Sequence, residues 1–325
     1  MTTDQHAMPA AHPEMALYDR SHWGRIAVAD GDRINFLHNQ STNDFKLLKP
    51  GQGCDTVFVT ATARTIDLVT AYVLEDTVLL LVSPHMSAKL MKWLDRYIFF
   101  ADQVKLTDMT TQTITLSLIG TQTTALIEKL GARELIDQPQ HHHQVINIAG
   151  QSVRIAVGSG LASPGYTLIA NADQKATLWA TLEEMGALAI TDATWEQWRI
   201  QQGRPLPDRE LTDDYNPLEA GLWQTISFNK GCYIGQETIA RLDTYQGVKQ
   251  QLWGINLTAS VAPGTAITAA GEKAGILTSV VETAAGWQGL AYIKTKVGGA
   301  GLIVQVGDAT GEILDRPGLT HARLN

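Results

Sequence analysis

Two cysteines, Cys54 and Cys232, are all that 325 residues contain. They lie far apart with no CxxC spacing, which excludes a disulfide framework and a cysteine-rich metal or cluster site, since a cluster usually takes four thiolates. So few thiols fit a reduced, cytoplasmic setting. Charge is sparse too, at 18% of residues, and its balance is acidic, −8 at pH 7. That argues against a broad phosphate-binding surface, and no nucleic-acid partner is expected, because such binders carry a basic stripe that releases counterions. No run approaches the about 20 apolar residues that span a bilayer, so no membrane partner is expected either. Residues 1–15 lack an apolar h-region and read as a disordered tail.

What is present is a 44% hydrophobic content over a length that favours two or three domains. A short strand at residues 25–28 leads into a helical pattern carrying Ile34 and Leu37 and ending near Asp44. Three β-rich runs follow at 56–60, 66–74 and 77–82, the last two joined by Glu75-Asp76 as a hairpin. Leu90, Leu94 and Ile98 then recur at helical spacing, which predicts a helix from Pro84 to about Phe99. The texture repeats: a strand at 113–119, a helix over 121–130, a loop holding His141, His142 and His143, strands at 153–157 and 166–170, and a helix over 172–185. Thr191 caps one more helix, closed by Gly203. Strand groups with single helices, linked by hairpins and not by regular βαβ crossovers, predict an α+β body of two similar units over residues 16–245. Beyond Gln246, short β runs at 252–257, 276–281, 289–293 and 302–306 are separated by Gly and Pro, the pattern of a small β-barrel or sandwich over 246–325.

The densest chemistry lies between Tyr215 and Arg241, YNPLEAGLWQTISFNKGCYIGQETIAR. Glu219, Lys230, Cys232, Gln236, Glu237 and Arg241 share this stretch with Gly221, Gly231 and Gly235, which permit positive φ and close backbone approach. Two readings stand side by side. In one, Cys232 is a reactive thiol on a tight loop, favoured as thiolate by Lys230 and a helix N-terminus. In the other it is an inert thiol in a turn before a helix.

The run Lys230-Gly231-Cys232-Tyr233-Ile234-Gly235-Gln236-Glu237 resembles the K-G-C-[FY]-x-G-Q-E signature of the YgfZ proteins, folate-binding relatives of the glycine-cleavage aminomethyltransferases. Gly31-Asp32-Arg33, Thr42-Asn43-Asp44, Trp198-Arg199-Ile200 with Gly203-Arg204-Pro205, and Asn216-Pro217-Leu218-Glu219-Ala220-Gly221-Leu222 are similar to the same family, so the resemblance covers most of the chain. It implies two interlocked α+β units around a central folate-sized pocket, followed by a C-terminal β-barrel. It further implies a tetrahydrofolate or derivative as cofactor, iron–sulfur client or assembly proteins as partners, and a role in cluster assembly or maintenance. Glu219, Gln201, Tyr233 and Trp223 have the chemistry to hold a pterin edge and faces, with Phe228 beside them; Gln236 and Arg241 extend the candidate cofactor-binding set, and Cys232 with Lys230 forms the candidate catalytic pair.

Two departures from the aminomethyltransferase pattern count against aminomethyl transfer. No carboxylate follows Val82-Ser83-Pro84, where those enzymes carry an Asp near folate N5, and Gln201 replaces an acid expected to grip the pterin. A tetrahydrofolate-dependent one-carbon transferase or demethylase is the enzymatic alternative; a non-catalytic scaffold is the other. No metal site is assigned: His141-His142-His143 is read as a loop, and Asp208, Glu210, Asp213 and Asp214 as a solvated acidic stretch balanced by Arg204 and Arg209.

Overall fold

The computed structural model describes residues 14–323. The expected tail lies outside the described residues up to residue 13; Met15 is buried in the core. Strand β1 (Ala16–Asp19) is followed by β2 (Gly24–Ala29), α1 (Arg33–Gln40), β3 (Gly53–Val59), β4 (Thr65–Val73), β5 (Thr77–Val82), α2 (Ser87–Asp95) and β6 (Lys105–Asp108). Next come β7 (Thr113–Ile119), α3 (Thr123–Lys129), β8 (His143–Ile148), β9 (Gln151–Val157), β10 (Gly165–Asn171), α4 (Lys175–Glu184), β11 (Leu188–Ala189), α5 (Asp192–Gln202) and α6 (Gln236–Thr244). The C-terminal part contains β12 (Gln250–Leu257), β13 (Ala266–Ala269), β14 (Glu272–Thr283), β15 (Gly286–Lys294), β16 (Ile303–Val306) and β17 (Ala309–Leu314).

The body holds two sheets. One runs β3-β4-β5-β2-β6, the other β11-β1-β7-β10-β9-β8. Because β1 pairs with β7 and β11 while β2 returns to the first sheet, the chain crosses between the units at its start and again after β6, interlocking them. The run Val78-Leu79-Leu80-Leu81-Val82 shows why both faces of β5 are buried. Side chains alternate across a strand, so Val78, Leu80 and Val82 pack under α1 and α2 with Leu90 and Leu94, while Leu79 and Leu81 meet Tyr18, Trp23 and Trp198 on the face toward the second sheet. The second sheet likewise turns Leu116, Leu118 and Leu168 toward α3 and α4.

Six strands close the C-terminal barrel in the order β12-β15-β14-β13-β16-β17, with β12 also pairing to β17. Its seam with the body combines an apolar cluster of Ile200, Tyr215, Leu252, Leu290 and Tyr292 with a buried polar group. Arg199 and Glu210, both wholly buried, pair at 3.2 Å, and Ser279 of β14 accepts from Arg199 Nη2 at 2.9 Å while donating to Glu210 Oε1 at 2.5 Å. Glu210 thus departs from the solvated acidic stretch expected of it: its carboxylate is a structural partner of Arg199, whereas Asp208, Asp213 and Asp214 are not buried.

Several elements differ in extent from expectation. The helix predicted over 84–99 begins at Ser87, because His85 takes φ +64° and breaks the turn. Strands β1, β6, β8, β13 and β17 carry little periodic apolar pattern. Of these, β6 and β8 are sheet edges; the histidine run, read as a loop, therefore enters β8 at His143.

Candidate functional site

A cavity of about 500 Å³ opens between the two sheets. Leu68, Thr70 and Tyr72 line it from alternate positions of β4, Cys54 and Asp55 from β3, Thr167 from β10, and Gln202 from the end of α5. Asp55 is the sole carboxylate among the residues lining it. Thr70 Oγ1 donates to Asp55 Oδ1 at 2.5 Å, and His141 Nε2 lies 3.3 Å from Oδ2. Burial by itself would raise the Asp55 pKa, but the His141 and Arg204 charges and the Thr70 hydroxyl hold it well below the usual carboxylate range. Burial pushes the Cys54 thiol far above its ordinary value, which keeps it protonated and inert.

His141 takes φ +67°, a conformation that L-residues seldom adopt and that is found where surrounding structure enforces it. Its neighbours diverge from it. His142 turns to Gln52 at 3.3 Å. His143 is buried, its ring edge-on to Tyr72, and its Nδ1 accepts from Arg154 Nη1 at 2.8 Å; burial and the Arg154 charge push it down to about 4. The three histidines do not converge on one point, so the run supplies one imidazole to the cavity and two to the wall.

On the same side stand two cations. Arg20, 1% exposed, donates through Nη2 to Thr167 Oγ1 at 2.8 Å, and its guanidinium lies 5.0 Å from the Trp23 ring centre. Arg204 lies 4.9 Å from the same ring. Burial lowers the pKa of both, with Arg20 reaching about 10, still charged at neutral pH.

None of the residues expected to be catalytic or cofactor-binding lines this cavity, although Asn43, Arg204, Pro205 and Leu222 of the family-like motifs do, as does His141 of the histidine run. Gln201 is buried on α5, but its neighbour Gln202 faces the opening; a helix turns about 100° per residue, so one position decides the face. Glu219 sits at the seam with the barrel, where its Oε2 accepts from the Asn216 backbone N–H at 3.1 Å, its carbonyl accepts from Leu252 at 2.8 Å, and burial raises its pKa. Trp223 and Tyr233 pack in a common cluster with Leu218 and Ile239, Trp223 Nε1 donating to the Leu218 carbonyl at 3.1 Å. Gln236 is half-buried at the first position of α6, and Arg241 is exposed on that helix.

The signature run accounts for itself almost entirely by architecture. Lys230 is 7% exposed, and its ammonium donates to the carbonyls of His38, Ser41 (2.8 Å) and Asn43 (2.6 Å), satisfying the C-terminal end of α1 and the turn after it. The ammonium also lies 4.8 Å from the Tyr233 ring centre, and burial pushes it down to about 8, with Asp44 opposing. Gly235 takes φ +83°, and a Cβ there would sit 2.9 Å from the Thr60 carbonyl oxygen, so only glycine fits. Cys232 is exposed, as a free thiol, and so are Gly231 and Glu237 of the same run.

The cavity as a site escaped sequence reading because its lining is scattered over ten separate stretches of chain. One local signal was present: Gly203-Arg204-Pro205 fixes an arginine between a left-handed helix cap and a proline, beside the cavity.

Comparison with known proteins matches the GCVT N-terminal domain over residues 3–230. The chain is 45% identical over 321 residues to a chloroplastic protein of Arabidopsis thaliana named as a transferase, covering 98% of this chain and 74% of that one. It is 29% identical over 309 residues to the aminomethyltransferase of Geobacillus thermodenitrificans, covering 91% of this chain and 84% of the other. In fold it is similar to the glycine cleavage system aminomethyltransferase T of Bartonella henselae, with a TM-score of 0.81 at 18% identity over 96% of this chain and 88% of that one. The narrower YgfZ resemblance finds no counterpart among these relatives. No helix among the described residues is long and apolar enough to cross a membrane; the cytoplasmic expectation rests on cysteine content, and the Arabidopsis relative is chloroplastic.

Proposed function

The chain belongs to the GCVT family, and on that premise we propose that it binds a tetrahydrofolate in the central cavity and acts as a one-carbon transferase of the aminomethyltransferase kind. The observation that carries this reading is the cavity itself. Its volume falls within the ~300–1,000 Å³ of small-molecule sites. Its lining combines apolar cover from Leu68, Tyr72, Leu161 and Leu222 with polar side chains of Gln202, Thr70 and Thr167, a mixture that suits a flat ring bearing amide-like donors and acceptors. When bound, the reduced pterin supplies the nitrogen that accepts a one-carbon unit.

The chain's own residues supply proton handling. Asp55 accepts from His141 Nε2–H, fixing the imidazole tautomer so that Nδ1 is left as the acceptor. A positioned imidazole of this kind takes a proton from a reacting amine or returns it, a contribution of roughly 10²–10⁴-fold. Asp55 and His141 thereby fill the need left by the missing acid after Val82, which had counted against transfer chemistry. Body and barrel divide at about residues 245–246, between α6 and β12. Isothermal titration with tetrahydrofolate tests the reading: saturable binding is expected, and a folded protein that binds nothing at high micromolar ligand overturns it.

One observation favours a second reading, folate-linked support of iron–sulfur client proteins: Cys232 is an exposed free thiol, while Lys230, Tyr233 and Gly235 of the same run are tied into the fold. The relatives described above are transferases and lend it no support. A Cys232→Ala chain that still rescues cells lacking their own such protein removes the thiol from any mechanism.

A further inference from the structure

Buried guanidinium groups ordinarily satisfy their donors, because a buried unpaired polar group costs free energy. Arg20, buried, and Arg204, half-buried, each leave a buried Nε without an acceptor. Arg20 uses one donor on Thr167, and its buried Nε meets no acceptor. Arg204 makes no side-chain hydrogen bond or close ion pair among the described residues; its Nε is buried and unpaired, and Asp55 and Asp67 act on it only at longer range. The indole Nε1 of Trp23, which both cations approach, is a third buried donor with no acceptor. All three orphans are donors.

Among the described residues, no cavity acceptor bonds Arg204 or the Nε of Arg20. Asp55 is already engaged by Thr70 and His141. Gly160 borders the opening at φ +86°, and a Cβ there would fall 2.2 Å from Arg20 Nη1, so a side chain at this position would occupy the space before the guanidinium. In a chain of net charge −8, two cations face a cavity lined by one carboxylate, which is itself bonded to Thr70 and His141. An oxyanion complements such a pair, since the guanidinium fork matches carboxylate and phosphate geometry.

We propose that Arg20 and Arg204 form an oxyanion site in the central cavity, which holds a carboxylate or phosphate group of what binds there. The proposal rests on the cavity being the ligand site described above. The oxyanion has two possible sources of the same chemistry, the glutamyl tail of the folate or a separate small acid bound beside it.

The test titrates the full chain with tetrahydrofolate, which has carboxylates, and with 6-methyltetrahydropterin, which has none, and follows thermal stabilisation by acetate and inorganic phosphate. In the expected result Arg204→Gln weakens tetrahydrofolate at least tenfold, Arg204→Lys restores part of it, and the tetrahydropterin binds as before; the tail is then the source. If Arg204→Gln leaves both pterins unchanged but abolishes stabilisation by acetate or phosphate, the site stands and a separate acid fills it. If the unaltered protein binds neither pterin yet shows Arg204-dependent stabilisation by the simple anions, the folate reading fails and the oxyanion site survives. Equal weakening of both pterins overturns the proposal. So does a folded Arg204→Gln or Arg20→Gln chain that matches the unaltered protein for tetrahydrofolate, acetate and phosphate alike.

Discussion

The central cavity and the Cys232 loop differ in how they use polar residues. In the loop, a rare and conspicuous run of residues is consumed by the fold: Lys230 closes the end of α1, Tyr233 joins an apolar cluster, and Gly235 permits a close approach to Thr60. In the cavity, unremarkable single residues from distant segments are left with unspent donors and an oriented imidazole. The dense motif therefore marks a tightly constrained stretch of backbone, and the unpaired donors collect elsewhere.

Lys230→Met should break the comparison from the loop's side with the largest effect. Three carbonyls lose their shared donor, and two of these contacts are buried, so a loss of about 3 kcal/mol is expected, read by denaturant unfolding. Next is Asp67, on β4 but not lining the cavity. Its carboxylate is wholly buried, with Oδ2 accepting from the Ser83 N–H at 2.9 Å and Oδ1 unpaired, and burial pushes it up to about 6 from 3.8. Between those pH values the folded chain holds the extra proton, so this group's contribution to stability falls as pH rises from 4 to 6 and its penalty is complete above 6. Asp67→Asn should accordingly gain on the order of 1–3 kcal/mol at pH 7 and nothing below pH 4, checked by unfolding at both pH values. If Asn gains equally at both, the buried charge is not the cause.

On the cavity side, His141→Ala is expected to lower the transfer rate about 100-fold with tetrahydrofolate affinity changed little; Asp55→Asn should fall between that variant and the unaltered chain. The smallest effect belongs to Cys232→Ala, which should alter stability by less than about 0.5 kcal/mol, as exposed substitutions do, and leave folate binding intact.

Much of the fold was legible in the sequence. The all-apolar Val78–Val82 segment, the Thr191 cap accepting from Thr194 N–H, and Gly203 at φ +80° appear where pattern and capping chemistry place them. The Gly- and Pro-punctuated C-terminal runs close into the barrel. Edge strands such as Lys105–Asp108 were not legible, because an edge buries too little to impose alternation. The cavity was harder still. Gln201 and Gln202 differ only in helix face, and Asp55 meets His141 across 86 positions of chain, a pairing that only the register of β3 and the turn before β8 creates.

The central claim is that the cavity between the sheets, and not the Cys232 loop, is where a folate binds. Ala162 is exposed and lines the opening, so Ala162→Trp fills it without disturbing the core. Titration of tetrahydrofolate into Ala162→Trp and Cys232→Ala side by side tests the claim most directly. Binding lost in the first and kept in the second is the predicted result; binding kept in the first and lost in the second would contradict it.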